Sequence, residues 1–273
     1  MPRFLAVALT LLSTTTAFAQ TSTVPPEELS NTRRLAGDSI NVCFDRTSLG
    51  RPFDEAVAHA IGDALFLQIN VVEGFGGFPL NGDGFMDELT LAMNNTCDVF
   101  MGVTVSANSP FSEAFALTRP YATIPFVLVV SDPQWQTIGD IPKDRPLGTA
   151  MASMGEMNYI TWARQQPEGE SWVRYPYPDP NKMATRVLDG TIAGMILWQP
   201  TLARLRAERT DVDALRVIDQ SPVPPATVSV GALVSSRNGF LRSQMDEAID
   251  ALVADGTIAS LMTEFGYEGT AGE

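Results

Sequence analysis

Short apolar runs alternate with stretches in which apolar residues recur every three or four positions. Residues 40–44 read as a strand. Phe53, Val57, Ala60, Ile61, Ala64 and Leu65 then share one helical face, with Asp54 and Glu55 in the first turn, where the helix dipole favours negative charge. Residues 69–72 predict a second strand, and Phe85, Leu89, Ala92 and Met93 a second helix. Residues 99–105 are apolar without alternation, as expected of a strand buried on both faces of a parallel sheet. Residues 126–130 form another apolar run, ending at Ser131-Asp132-Pro133. The pattern then restarts: strand 147–150, helix 155–165, strand 172–175, helix 181–189, strand 195–197, and a helix opened by Pro200, a position that proline tolerates. A late strand, 228–234, precedes two helices marked by Leu241, Met245, Ala248, Ile249 and Leu252, then Ile258, Leu261, Met262 and Phe265.

Strands alternating with helices predict an α/β architecture. The pattern occurs twice, yet the first half is short of elements for a five-stranded sheet. Sending residues 235–268 back to it repairs the deficit. The expected fold is a two-lobe clamshell with two chain crossovers, near 129–133 and 230–235. Lobe 1 takes residues 38–130 plus 235–268, lobe 2 takes 131–234, and 269–273 form a tail. Ligands of open α/β sheets lie beyond the carboxyl ends of the strands, which here face the cleft between the lobes.

Composition narrows the setting. The 273 residues are 45% hydrophobic, normal for a globular chain, so wholesale disorder is excluded. A formal charge of −14 argues against unspecific nucleic-acid binding. One histidine excludes a multi-histidine metal site, and two cysteines exclude an all-cysteine zinc site. Residues 1–19 read as a secretory signal peptide: Arg3, a short apolar run from Phe4 to Leu12, and Ala17-Phe18-Ala19 before Gln20. An uncleaved N-terminal anchor is the alternative. Residues 20–37 read as a flexible lead-in. No later segment is apolar enough to span a membrane, so the expectation is a soluble, exported protein. In an oxidising compartment Cys43 and Cys97 pair; otherwise they are two separate buried thiols.

The segment Ala251-Leu252-Val253-Ala254-Asp255-Gly256-Thr257-Ile258-Ala259-Ser260-Leu261 resembles the ending of bacterial periplasmic solute-binding proteins of the amino-acid type, family 3. Residues 53–67 resemble its first helix. Cys97-Asp98-Val99-Phe100-Met101-Gly102 followed by Thr118-Arg119-Pro120-Tyr121 resembles its third strand and the entry to its fourth. The resemblance covers residues 38–268 and implies the type II periplasmic-binding-protein clamshell, a small-molecule ligand, and the membrane subunits of an ABC importer as partners. Two departures bear on the ligand. The family's arginine after the third strand, which grips a ligand carboxylate, is missing from Val105-Ser106-Ala107-Asn108-Ser109-Pro110-Phe111. The family's aspartate for the ligand ammonium is missing from Leu197-Trp198-Gln199-Pro200. An ordinary α-amino acid would leave both its charges unpaired, so it is not the expected ligand. Gly84-Phe85, the Cys97–Gly102 strand and Trp198-Gln199-Pro200 also resemble a branch encoded beside periplasmic quinoprotein alcohol dehydrogenases. That branch implies the alternative function, an accessory protein of methanol or related alcohol oxidation that binds the dehydrogenase. Gln199 departs from the branch's usual glycine.

The candidate ligand contacts are Asp45 and Arg46 after the first strand, Thr104 and Ser106 after the third, Arg119, Ser153 and Met154 at a helix start, and Trp198 and Gln199 at a strand end. Ser153-Met154-Gly155 offers backbone N–H groups to an anion, or is an ordinary N-cap. Trp198 stacks on a planar ligand, plugs the cleft, or is a structural residue between lobes. Gly74-Phe75-Gly76-Gly77-Phe78 lacks nucleotide-loop spacing and reads as an aromatic lid, a partner-binding knob or an irregular loop. Asn81-Gly82-Asp83-Gly84 with Asp87-Glu88 fails the EF-hand spacing, because Met86 and Ala92 occupy the required glycine and glutamate positions. His59 lies off the apolar face of its helix, and no Gly-x-Ser-x-Gly elbow or histidine-centred triad can be assembled. The reading is therefore a binding protein, not an enzyme, without cofactor or metal.

Overall fold

The computed structural model describes residues 37–72 and 84–273. The signal-peptide segment, nearly all of the lead-in, the loop 74–78 and residues 81–83 lie outside the described residues.

The strands form two sets with the same internal order. In the first, β1 (Ser39–Phe44), β2 (Gln68–Val72) and β3 (Val99–Thr104) run parallel as β2-β1-β3. In the second, β6 (Leu147–Ala150), β7 (Arg174–Tyr177) and β8 (Gly194–Trp198) run parallel as β7-β6-β8. Each set is completed by a long antiparallel strand that also serves the other. β10 (Thr227–Ser235) pairs with β3 over Val230 to Val234 and, nearer its start, with β5 (Ala122–Val130) over Ala122 to Pro125. β5 then pairs with β8 over Phe126 to Val130. The sets therefore read β2-β1-β3-β10-β5 and β7-β6-β8-β5-β9, where β9 is Arg216–Ile218. Two edge additions, β4 (Phe115–Leu117) on β10 and β11 (Thr270–Ala271) on β5, finish the sheet. This is an α/β, two-lobe fold in which, among the described residues, β5 and β10 carry the pairing from one lobe into the other.

Among the described residues, seven α-helices cover the strands. On the first lobe, α1 (Arg51–Leu65), α6 (Gly239–Ala254) and α7 (Thr257–Glu264) share one core, built on Phe53, Val57, Ile61, Ile124, Met245 and Ile249. The C-terminal helices thus return to the opening of the chain. Gly256, at φ +85°, is the left-handed residue between α6 and α7, and the Asp255 carboxylate accepts the Thr257 N–H at 2.8 Å. The opposite face is closed by α2 (Phe85–Asn95), whose Phe85, Leu89 and Met93 enclose the disulfide between Cys43 and Cys97. On the second lobe, α3 (Met154–Ala163) covers one face with Tyr159 and Trp162, while α4 (Pro180–Leu188) and α5 (Gln199–Glu208) cover the other through Met183, Val187 and Leu202. No helix of the described residues is long and apolar enough to cross a membrane.

The sequence expectation differs from the structure at two strands and misses three. The strand expected at 126–130 starts four residues earlier, as Ala122–Val130, because Ala122 to Pro125 pair with β10. The strand expected at 172–175 is Arg174–Tyr177. Trp172 instead buries its ring beside Trp162, with centroids 6.0 Å apart, and donates its indole N–H to the Ile141 carbonyl at 3.0 Å. Pro176 fits because β7 is an edge strand, whose outer side needs no donor. The missed β4, β9 and β11 have three, three and two residues, too few for a periodic signal. They exist because β5 and β10 offer free edges.

Candidate functional site

Strand register defines the groove between the lobes. Thr104, at the end of β3, lies opposite Val230, and Val230 lies opposite Ala122. Trp198, at the end of β8, lies opposite Phe126. The carboxyl ends of β1 and β3 therefore point toward those of β6 and β8. The stretch of β5 from Ala122 to Phe126 separates them, roughly 13 Å at the usual rise per residue. Along that floor Thr123 and Ser229 share a hydroxyl–hydroxyl hydrogen bond of 3.0 Å, and Thr123 also donates to the Gly272 carbonyl at 2.9 Å. Gly155 lets the first turn of α3 close down on the floor: a Cβ there would meet the Phe126 ring at 2.6 Å.

The candidate residues fare differently. Asp45 is buried, and one carboxylate oxygen accepts the Thr47 N–H at 2.8 Å and its hydroxyl at 2.7 Å. It shapes the loop that presents Arg46, which is exposed. Thr104 and Ser106 are exposed on the loop that leaves β3, and that loop is held to β10 by the Val105 N–H on the Ser229 carbonyl. Arg119 faces another way. Its guanidinium pairs with Asp250 of α6 at 3.0 Å, and its backbone N–H donates to Asp246. The structure thus places it on α6 rather than at the strand ends.

Ser153 is the N-cap of α3, its hydroxyl accepting the Glu156 N–H at 3.1 Å. The anion-site expectation meets a resident carboxylate there. Glu156, 5% exposed, accepts the Ala152 N–H at 2.7 Å and the Thr149 hydroxyl at 2.8 Å, and pairs with Arg174. Met154 is exposed beside it. Trp198 packs against the cores of both lobes, and its buried indole N–H has no hydrogen-bond partner among the described residues. Gln199 is fully buried and turned away from the groove: its amide donates to the Gly266 carbonyl at 2.7 Å, tying α5 to the C-terminal segment. His59 is exposed on α1. Asp87 and Glu88 lie in the first turn of α2. Among the described residues no cluster of histidine, cysteine, aspartate or glutamate is placed to hold a metal ion.

One polar cluster escaped the sequence reading. Asp54, in the first turn of α1, is 3% exposed and accepts the Tyr121 hydroxyl proton at 2.7 Å, while Tyr121 accepts the Gly102 N–H at 3.1 Å. Burial pushes the Asp54 carboxyl up to about 7, against the lowering effect of the Tyr121 hydrogen bond. Burial and the neighbouring Asp54 hold the Tyr121 hydroxyl well above its ordinary value. The cluster fixes the start of α1 against β3 and the entry to β5, directly behind the first lobe's rim. The one sequence signal for it is Gly102 inside an apolar strand, unused in the sequence reading, since such a glycine marks a close approach. Tyr121→Phe removes one donor and one acceptor from a buried cluster. It is expected to cost about 1–3 kcal/mol, read as a lowered midpoint in urea.

No protein-family model matches the chain, and no match is found among well-characterised protein sequences. Solved structures do match in fold. The L-cystine solute receptor of Neisseria gonorrhoeae, unliganded and open, superposes with a TM-score of 0.64 at 18% identity, covering 86% of this chain and 95% of that one. The second substrate-binding domain of Lactococcus lactis GlnP, also open, gives 0.65 at 14% identity over 85% and 97%. A substrate-binding protein of an ABC uptake transporter from Streptococcus pneumoniae, with bound histidine, gives 0.53 at 20% identity over 91% and 98%. These likenesses establish the two-lobe binding-protein fold.

Proposed function

We propose that the chain is an exported solute-binding protein that captures a small molecule in the interlobe groove without altering it, and hands it to the membrane subunits of an ABC importer. The observation that carries this reading is the register of β5 and β10: two sets of strand ends oppose each other across a floor spanned by two strands, the arrangement a hinge motion needs. The hinge is placed at 123–126 and 227–229, between a first lobe closed by α6 and α7 and a second lobe built on β6–β8. The Cys43–Cys97 bridge and the leader-like residues 1–19 support an oxidising, exported location. The proposed contacts are Arg46, Thr104 and Ser106 from one rim, and Met154 and Trp198 from the other. Asp45, Ser153 and Gln199 support them from behind.

The similar solved structures include receptors of L-cystine and histidine. An ordinary α-amino acid is not the proposed ligand here. The sequence lacks the two charged anchors, and the start of α3 already holds the Glu156 carboxylate. The test is a heat-shift screen of residues 20–273. A solute at about 100 times its Kd adds about 2.7 kcal/mol, a rise on the order of 5–10 °C for a chain this size. An uncharged or singly charged solute is expected to give that rise, and the L-α-amino acids none. If no solute shifts melting while a periplasmic quinoprotein dehydrogenase co-purifies, the receptor reading falls and the accessory role replaces it.

A further inference from the structure

Methionine is distributed unevenly over this surface. Seven large hydrophobic side chains are exposed among the described residues, and three of them are Met151, Met154 and Met157, at 54%, 49% and 56%. The other described methionines are buried, apart from the half-buried Met86. The exposed three fall at intervals of three residues across the end of β6 and the first turns of α3. Met154 and Met157 lie on one side of that helix, because Gly155, Glu156, Tyr159 and Trp162 face inward. Their Cβ atoms are therefore roughly 5–6 Å apart. Met151 follows β6 just before the N-cap, its N–H held by the Tyr177 carbonyl. Each side chain ends its stem in a thioether with three rotatable bonds behind it. Leucine would serve any purely apolar purpose at such positions; sulfur adds a soft lone pair.

We propose that Met151, Met154 and Met157 form a thioether site for a soft monovalent cation, Cu(I) or Ag(I). Thioether ligands select soft ions, whereas magnesium, calcium and manganese take oxygen. Two neighbouring oxygen donors are already committed. Glu156 is bound by Ala152, Thr149 and Arg174, and the Ser153 hydroxyl caps the helix. Softer competitors are absent too, since the two cysteines of the chain are tied to each other. The positive end of the α3 dipole opposes a cation here, and the Glu156 carboxylate in the same turn is balanced by Arg174, so the site rests on soft ligation and not on charge. The site lies on the second lobe's rim and shares Met154 with the proposed solute contacts, so it is tested without solute in the groove.

Silver nitrate titrated calorimetrically into the oxidised mature protein, in chloride-free buffer, is expected to show one saturable site per chain. Native mass spectrometry of the same sample is expected to show one bound silver ion. The triple variant Met151→Leu, Met154→Leu, Met157→Leu is expected to lose the site with unchanged melting temperature, because these side chains are exposed. Each single variant is expected to weaken binding about tenfold, which keeps the test sound if the triple variant folds poorly. Zinc sulfate is expected not to compete. Silver binding that survives the substitutions, absence of saturable binding, or equal displacement by zinc would each overturn the proposal.

Discussion

Between pH 4 and pH 7 the protein is expected to lose on the order of 4 kcal/mol of stability through one carboxyl group, and Asp54→Asn is expected to abolish that loss. The cause is a conflict at the start of α1. The helix dipole favours an ionised Asp54 by about 1 kcal/mol, and the Tyr121 hydrogen bond favours it further. Burial opposes both and wins, raising the carboxyl from 3.8 to about 7. The sign follows from where the proton sits. Below pH 3.8 both folded and unfolded chains hold it, and the contribution is fully present. Above that the unfolded chain releases its proton while the folded chain keeps it, so stability falls by about 1.4 kcal/mol per pH unit until the folded carboxyl titrates. Beyond pH 7 nothing more is lost. The check is urea unfolding of both proteins at half-unit intervals. The difference between their curves isolates Asp54 from the exposed Asp140, Asp189, Asp211 and Asp255, whose carboxyls lie below their usual range and whose contributions run the other way. Parallel curves would show that Asp54 is ionised throughout. Gly102→Ala supplies a geometric control: its Cβ would lie 2.5 Å from the Asp54 carboxylate, at a backbone φ of +78°.

Periodicity made the lobes legible, and partnership hid the site. The apolar runs at 99–105 and 126–130 announce buried strands because each is covered on both faces, and the helical face of Leu241, Met245 and Ile249 announces α6. The return of α6 and α7 to α1 followed from counting strands, since a lobe with too few elements must borrow. The site residues carry no such period. Asp45 and Gln199 stand out because strand ends face grooves, and Ser153 because it opens a helix, yet each spends its polar atoms on its own framework. Arg119 looked available only because Asp250, 131 residues away, was invisible beside it. Glu156 carries only the local signal of a helix start, three residues after Ser153, and its pairing with Arg174 depends on β7 and α3 meeting across β6. A side chain's type and position reveal where it starts, but the partner that claims it comes from elsewhere in the chain.

Removal of the Cys43–Cys97 bridge is the other change of comparable size. The cystine joins β1 to the residue two positions before β3, enclosing α1, β2 and α2, with a sequence separation of 54. A closed loop of that length lowers the entropy of the unfolded chain by an amount worth about 4 kcal/mol on the chain-entropy model. The folded state gains little from the bridge directly, because Cys43 already pairs with Phe100 across the β1–β3 ladder. Cys43→Ala with Cys97→Ala is therefore expected to lower the unfolding free energy by about 4 kcal/mol. The urea m-value is expected to rise, since the freed chain exposes more surface when it unfolds. Alanine is the right replacement. Serine would bury two hydroxyls among Phe85, Leu89, Phe100 and Leu233 and confound the measurement with a desolvation cost. A loss below about 1 kcal/mol with an unchanged m-value would show that the unfolded chain keeps this segment compact without the bridge, and that the stabilisation lies elsewhere.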